Sequence, residues 1–196
     1  GKSANLVFPD VVLAETAAYA TYFGFSNSGQ GCALPTRVLV HRDIYAPFVE
    51  AMAATIDQVT LGDPLNMNTV IGPMVNAAAL QRVNGLIERA RTSQVGRFVR
   101  GACPPPAGLE SGCFVEPTLI AEIDPHCEIA QKEVFGPVLA VMAFDSEDEA
   151  VALANNTEYG LSAYVQTHDL NRAQRLIRRL NAGTVFINRA TPAFRS

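Results

Sequence analysis

The chain has 196 residues, of which 48% are hydrophobic and 17% are charged, the composition of an ordinary globular domain that can bury a core. Its formal net charge of −4 and isoelectric point near 5.4 argue against nucleic acid as a partner, because surfaces that bind nucleic acid are normally basic. No apolar run reaches the roughly 18 to 20 residues that a membrane helix needs, and the first residues do not resemble a signal peptide. We therefore expect a cytoplasmic protein with no membrane partner.

Helical and extended patterns alternate along the chain. In order, they predict a helix over 11–24, a strand over 37–42, helices over 45–60 and 76–93, strands over 97–100, 114–120 and 138–144, a helix ending near 155, a strand over 161–166, a helix over 169–181 and a strand over 184–187. Asn76 is placed near the start of its helix, and the acidic cluster at 145–149 suits the positive end of a helix dipole. The alternation predicts an α/β fold in three layers, with a mostly parallel, open, twisted sheet and helices on both faces.

The remaining long segment and the cysteines point to no special scaffold. Prolines and glycines over 103–112 indicate a surface loop. The four cysteines (Cys32, Cys103, Cys113 and Cys127) are irregularly spaced, and no histidine stands at metal-ligand spacing from another, so we predict no metal site. A chain of this length does not need disulfides, which favours free thiols in a reducing compartment.

One cysteine has an unusual setting. Residues 25–32 read Phe-Ser-Asn-Ser-Gly-Gln-Gly-Cys, so Cys32 ends a glycine-rich loop between the first helix and the strand over 37–42. The glycines allow a sharp turn and a close approach of substrate, and loops between rigid elements often carry catalytic side chains. From these residues alone, Cys32 is either a nucleophile or a buried structural thiol.

This segment resembles the cysteine signature of the NAD(P)-dependent aldehyde dehydrogenase superfamily, Phe-x-Asn-x-Gly-Gln-x-Cys with an arginine a few positions on, here Arg37. Five other blocks resemble that family's in the same order: Gly-Lys-Ser-Ala-Asn-Leu-Val-Phe at 1–8, Leu-Gly-Asp-Pro at 61–64, Ile-Gly-Pro at 71–73, Glu-Val-Phe-Gly-Pro-Val at 133–138 and Gly-Thr-Val-Phe-Ile-Asn at 183–188. Six ordered blocks are more specific than one motif. The resemblance covers about residues 1–188 and implies the family's catalytic domain.

The resemblance implies roles for three residues. The Cys32 thiolate would attack a small-molecule aldehyde, the thiohemiacetal would lose hydride to the nicotinamide of NAD or NADP, and the thioester would be hydrolysed to the acid. The Cys32 backbone N–H would be the first donor to the oxyanion. Glu133 would accept hydrogen bonds from the nicotinamide ribose, and Phe135 would pack near the nicotinamide end. From the residues alone, Glu133 reads instead as a solvated glutamate before a turn.

Other polar residues near these blocks have more than one interpretation. Asn27 and Gln30 either brace the loop or contact the substrate. Asn188 either ends its strand or lines the substrate channel, because ligands gather at strand ends in open α/β sheets. The tripeptide Gly-Lys-Ser at 1–3 looks like the end of a phosphate-binding loop, but it lacks the upstream glycine and strand of one.

The resemblance also sets the expected domain organisation. Residues 1–188 would form the catalytic domain and 189–196 a disordered or non-family tail, since 191–196 replaces the family's Pro-Phe-Gly-Gly-x-Lys block. The family's general base, its Rossmann segment and the asparagine of its oxyanion hole would precede Gly1, and the segment that pairs subunits would follow Ser196. We therefore expect the isolated catalytic domain of a larger homodimeric or homotetrameric enzyme, inactive by itself.

Three other functions stay open at this point. A coenzyme-A-acylating relative would remove the acyl group with a thiol instead of water, and the upstream base position would distinguish it. A structural or interaction protein descended from the family would not need an intact Cys32 loop and 133–135 segment. A cysteine hydrolase would need a partner histidine, and none of the three histidines has a convincing setting.

Overall fold

A seven-stranded sheet forms the centre of the molecule. The computed structural model describes residues 1–101, 104–105 and 107–188. Its elements are β1 (Ala4–Val7), α1 (Leu13–Gly24), a 3-10 turn (Ser26–Gly29), β2 (Arg37–His41), α2 (Arg42–Ile56), α3 (Ala77–Thr92), β3 (Arg97–Arg100), β4 (Thr118–Ala121), α4 (Glu128–Gln131), β5 (Val138–Phe144), α5 (Glu147–Asn155), β6 (Ser162–Gln166), α6 (Leu170–Arg179) and β7 (Thr184–Ile187). None of the helices in these ranges has the length and apolar character required to cross a membrane.

The sheet is parallel except at one edge. Its strand order is β3-β4-β5-β2-β1-β6-β7, and β3 pairs antiparallel with β4. β1 lies between β2 and β6, with Ala4 opposite both Arg37 and Ala163. This confirms the predicted mostly parallel sheet. β1, β2, β5 and β6 run in the same direction. The segments that precede these strands therefore meet at one end of the sheet, where the parallel strands begin.

Helices cover both faces of the sheet, as the sequence predicted. Successive strand residues point to opposite faces, so Leu6 belongs to the core under α3, α5 and α6, whereas Val7 belongs to the core under α1 and α2. Burial on both faces explains why β5 is a continuous apolar run with no polar alternation. The chain therefore forms the expected three layers.

Two helix starts follow directly from local chemistry. The Asn76 side chain accepts a hydrogen bond from Ala79 N–H at 2.8 Å, which confirms its predicted place at the start of α3. Ser146 accepts one from Glu149 N–H at 3.2 Å and begins α5, whose first turn is acidic. Both side chains satisfy backbone donors that the first helical turn leaves unpaired.

Several predicted bounds were wrong. The helix predicted over 45–60 runs over Arg42–Ile56, and the strand predicted over 114–120 is shorter and lies at Thr118–Ala121. β1 and α4 were not predicted as elements. Each has only four residues, too few to show a periodicity, and β1 is extended because it is paired on both sides within the sheet. The predicted loop over 103–112 has neither helix nor strand in its described part, while Cys103 and the predicted tail 189–196 lie outside the described residues.

Candidate active site

Cys32 lies at the edge of the sheet where the parallel strands begin. Its side chain is exposed on the loop that leaves α1 and enters β2. Gly1, which precedes β1, packs directly on it: a Cβ added at Gly1 would lie 2.2 Å from the Cys32 carbonyl oxygen. The Gly-Lys-Ser tripeptide therefore lines this site through Gly1. It continues into a strand and not into the helix that a phosphate-binding loop requires.

The backbone before Cys32 turns through three consecutive left-handed residues. The φ angles are 51° at Asn27, 57° at Ser28 and 72° at Gly29. Asparagine tolerates this conformation, whereas for serine it costs about 1 to 2 kcal/mol. Gly29 is required, because a Cβ there would lie 2.1 Å from the carbonyl oxygen of Gly136. The turn therefore packs against the Glu-Val-Phe-Gly-Pro block, which is distant in the sequence.

The amide side chains of the turn are both bonded within the protein. Asn27 Nδ2 donates to the Gln30 carbonyl at 3.0 Å. Gln30 Oε1 accepts from Val75 N–H at 2.9 Å, and its Nε2 donates to the Pro73 carbonyl at 3.4 Å. Of the two interpretations of these residues, the structure therefore favours bracing of the loop. The brace is the family-like block Ile-Gly-Pro at 71–73 and the residues just after it.

The residue after Cys32 is fixed by two hydroxyl groups. Ser162 Oγ and Tyr164 OH donate to the Ala33 carbonyl at 3.1 and 2.9 Å, and Ser3 Oγ lies 2.9 Å from Ser162 Oγ. Burial raises the pKa of Tyr164, and the neighbouring Cys32 sulfur adds to the rise, so this hydroxyl stays a donor at neutral pH. Neither donor was predicted from the sequence. Their one local signal is that Ser162 and Tyr164, with Gln166, place polar groups at alternate positions of a strand that is buried throughout.

Glu133 and Phe135 lie at the same edge as Cys32. The Glu133 carboxylate contacts the amino group of Gly1, the residue that also packs on Cys32. Its side chain is 33% exposed, and its backbone N–H donates to the Tyr159 hydroxyl at 3.3 Å. Phe135 is 36% exposed and has a φ of 50°, a conformation rare for an aromatic residue. The fold thus brings together the three predicted site residues.

Two features of these side chains bear on the predicted contact with a nicotinamide. The Glu133 carboxylate is one-third exposed and meets the Gly1 amino group through Oε1, so Oε2 is the oxygen left to accept from a ribose hydroxyl, and Phe135 exposes an apolar ring two residues later.

Two buried cations, Arg37 and Lys2, lie next to the site. Arg37 donates to the carbonyls of Lys2, Leu153 and Ala154 at 2.8 to 2.9 Å, and the last two belong to the negative end of α5. Burial lowers the pKa of Arg37 to about 10, which still leaves it charged at neutral pH. Lys2 is 1% exposed, and its Nζ has no hydrogen-bond partner in the described part of the chain. Burial, and secondarily Arg37, lower the pKa of Lys2 to about 7.

Asn188 lies at the carboxyl ends of the parallel strands, opposite the end at which Cys32 lies. Its Oδ1 accepts from Thr167 N–H and its Nδ2 donates to the Thr167 carbonyl, both at 2.9 Å. Thr167 follows the carboxyl end of β6, whereas Cys32 lies at the amino ends of the parallel strands. The structure therefore favours the strand-ending interpretation of Asn188 and not a channel position beside Cys32.

The two other cysteines that the structure describes are less accessible than Cys32. Cys113 and Cys127 are free and half-buried, and burial raises the pKa of Cys127. Over the described ranges, the structure contains no group of three or more His, Cys, Asp or Glu residues that could bind a metal ion.

Comparison with known proteins decides the family. Residues 1–195 match the model of the Aldehyde dehydrogenase family. The chain belongs to this family. The resemblance read from the six sequence blocks is thereby confirmed.

Relatives within the aldehyde dehydrogenase family share substantial identity with this chain. A betaine aldehyde dehydrogenase of Vibrio vulnificus is 40% identical over 188 residues, which are 96% of this chain and 39% of that protein. The peroxisomal aminoaldehyde dehydrogenase 1 of Pisum sativum is 39% identical over 194 residues, or 99% of this chain and 38% of that protein. The chain thus spans about two fifths of the length of these relatives.

Solved aldehyde dehydrogenase structures confirm the fold. A mutant of aldehyde dehydrogenase C from Pseudomonas syringae, complexed with NAD⁺ and octanal, matches with a TM-score of 0.93 and 38% identity over 97% of this chain and 39% of its own. A point mutant of Staphylococcus aureus betaine aldehyde dehydrogenase in complex with NAD⁺ matches with a TM-score of 0.94 and 33% identity over 99% and 39%.

Proposed function

We propose that this chain is the cysteine-bearing part of an enzyme that oxidises an aldehyde to a carboxylic acid with NAD or NADP. The observation that supports it most directly is that an exposed thiol, Cys32, and a partly exposed carboxylate, Glu133, both meet Gly1, while Phe135 exposes an aromatic ring two residues after Glu133. Family membership supports the activity, and the NAD⁺ complexes of its structural neighbours support the cofactor.

Cys32 is the nucleophile in this proposal. Its thiolate forms a bond to the aldehyde carbon, and the carbonyl electrons move to oxygen, where the Cys32 backbone N–H stabilises the negative charge. A bound nicotinamide supplies the acceptor for the hydride that this carbon loses. The acyl group is then a thioester on the Cys32 sulfur, and water cleaves it to release the acid and the thiol.

Glu133 and Phe135 orient the cofactor. The Glu133 carboxylate accepts hydrogen bonds from the two ribose hydroxyls, and the Tyr159 hydroxyl fixes the Glu133 backbone. Phe135 places an apolar surface beside the nicotinamide end and excludes water there. Its left-handed backbone directly precedes Gly136, which packs tightly on Gly29.

The 196 residues alone are expected not to turn over an aldehyde. The family resemblance places the general base, and most contacts to a dinucleotide, on positions outside them. For the whole protein we expect a cytoplasmic homodimer or homotetramer.

The first test measures the reactivity of Cys32. The native chain is treated with limiting iodoacetamide at neutral pH, and each cysteine is quantified by peptide mass spectrometry, with the same chain unfolded in urea as reference. Exposure alone cannot make Cys32 react faster with iodoacetamide than it does in the unfolded chain. An alkylation rate of the native chain above that reference therefore indicates an activated nucleophile. A native rate at or below the unfolded rate would contradict the assignment.

The second test asks whether Glu133 binds the nicotinamide half of the cofactor. Nicotinamide mononucleotide should slow the alkylation of Cys32, while adenosine monophosphate should not. Glu133→Gln should abolish this protection, since an amide is a poorer acceptor for two hydroxyls. The control is Glu128→Gln, an exposed glutamate on α4 that pairs with Arg89. Equal protection by both nucleotides, or protection that survives Glu133→Gln, would contradict the role.

A further inference from the structure

Ser28 connects the turn before Cys32 to a separate segment of the chain. Its side chain is 5% exposed, and its Oγ donates to the Gly72 carbonyl and accepts from the Gly72 N–H, both at 3.0 Å. One hydroxyl therefore pairs both backbone polar groups of Gly72. That segment is fixed in turn by the β-bridge between Leu61 and Ile71.

The backbone conformation of Ser28 needs such an external contact. Its φ of 57° lies between those of Asn27 and Gly29, two residue types that adopt left-handed angles readily, whereas serine does not. A residue persists in this region only where its surroundings impose it. The two bonds to Gly72 impose it from outside the turn, and the bonds of Gln30 to Pro73 and Val75 anchor the same loop two residues later.

We propose that Ser28 is a positioning residue for the nucleophile Cys32. Ser28 does not touch the substrate: it fixes the peptide planes of the turn, and with them the direction in which the Cys32 N–H and side chain point. The inference rests on the proposed function, in which Cys32 attacks a carbonyl and its N–H stabilises the oxyanion. Because no signature position of the family resemblance falls on residue 28, the contact to Gly72 is what assigns the role.

Two reactions of the same thiol separate positioning from simple accessibility. Alkylation by iodoacetamide is a direct displacement that needs only an accessible thiolate. Acylation by para-nitrophenyl acetate passes through a tetrahedral oxyanion: the thiolate bonds to the acyl carbon, and para-nitrophenolate then leaves with its electron pair. Only the second reaction needs the backbone donor in the correct direction. The ratio of the two rates at Cys32 therefore measures the geometry of the turn.

Three variants test the proposal on the intact chain. Ser28→Ala removes the hydroxyl and keeps a side chain at a left-handed position, whereas Ser28→Gly removes the hydroxyl and relieves the backbone strain. Ser26→Ala is the control, because Ser26 lies in the same turn but its Oγ donates to Tyr22, at the end of α1. Both Ser28 variants should lower the acylation rate of Cys32 about tenfold, and change alkylation by less than about twofold, while the control changes neither.

The outcomes are distinct. If Ser28→Gly acylates like the unsubstituted chain, backbone conformation alone is sufficient and the role of the hydroxyl is refuted. If acylation and alkylation fall together, access is what changed and the proposal is overturned. A general loss of structure in Ser28→Ala would show as faster alkylation of the half-buried Cys113 and Cys127. In that case Ser28→Gly, which relieves the backbone strain, is the variant to compare with the unsubstituted chain. If Cys32 of the unsubstituted chain is not acylated, the proposed function itself is refuted, and the positioning role of Ser28 is refuted with it.

Discussion

Lys2 is the residue whose replacement tests the electrostatics of this fold most directly. Its ammonium group is buried next to Arg37 with no hydrogen-bond partner in the described residues, and burial lowers its pKa from 10.5 to about 7. A shift of this size corresponds to a cost of about 5 kcal/mol for the charged form in the folded state. Lys2→Met keeps most of the apolar stem and removes the charge, so we expect it to stabilise the chain at neutral and acidic pH.

The pH dependence of the stability difference between Lys2→Met and the unsubstituted chain is a sharper test than its size at one pH. Below pH 7 Lys2 is charged in both states, and the folded state suffers the full cost. Between pH 7 and 10.5 the folded state releases the proton that the unfolded state retains, so the unsubstituted chain gains stability as the pH rises. Above this window both states are neutral. The stability advantage of Lys2→Met should therefore shrink by about 3 to 4 kcal/mol between about pH 7 and about pH 10.

Urea unfolding followed by circular dichroism at several pH values measures this difference. Because both chains share the remaining cysteines and tyrosines, the titration of those groups largely cancels in the comparison. Lys132 is the only other lysine and provides the control: it is exposed and pairs with Glu158, so Lys132→Met should show no such pH-dependent gap. An advantage of Lys2→Met that stays constant between pH 7 and pH 10 would refute the reasoning.

Three further substitutions have expected effects on the free energy of unfolding, measured by urea unfolding. Gly29→Ala should destabilise the chain by about 3 kcal/mol or more, because its Cβ would meet a carbonyl oxygen at 2.1 Å. Gly108 is also left-handed but has open space around it, so Gly108→Ala should cost only about 1 kcal/mol. Equal costs would contradict the close packing of the turn. Arg37→Met should cost about 3 to 5 kcal/mol, since it leaves carbonyls unpaired, whereas substitution of the exposed Arg42 by Met should cost much less. A small loss at Arg37 would contradict its role at the end of α5. Asn76→Ala should cost about 1 kcal/mol through the lost helix cap, and no loss would contradict the cap.

Much of the architecture could be predicted because its causes are local. The acidic segment before α5, Asn76 before α3 and the apolar run of β5 each act within a few residues, so the type of element follows from the sequence itself. The candidate nucleophile could also be found, because glycines must surround a turn that packs as closely as Gly29 does on Gly136. The assignment of the family rested on six blocks and needed no coordinates.

What only the tertiary structure decided are contacts between residues far apart in the chain. The hydroxyls of Ser162 and Tyr164 meet the Ala33 carbonyl, and Arg37 meets the end of α5, through hydrogen bonds that join residues 116 to 131 positions apart. β1 likewise becomes a strand through its pairing with β2 and β6 and not through its own four residues. Such contacts leave no periodic pattern in the sequence. Which donor meets which carbonyl depends on the order and register of the strands, and these are set by packing of the whole sheet between its helices.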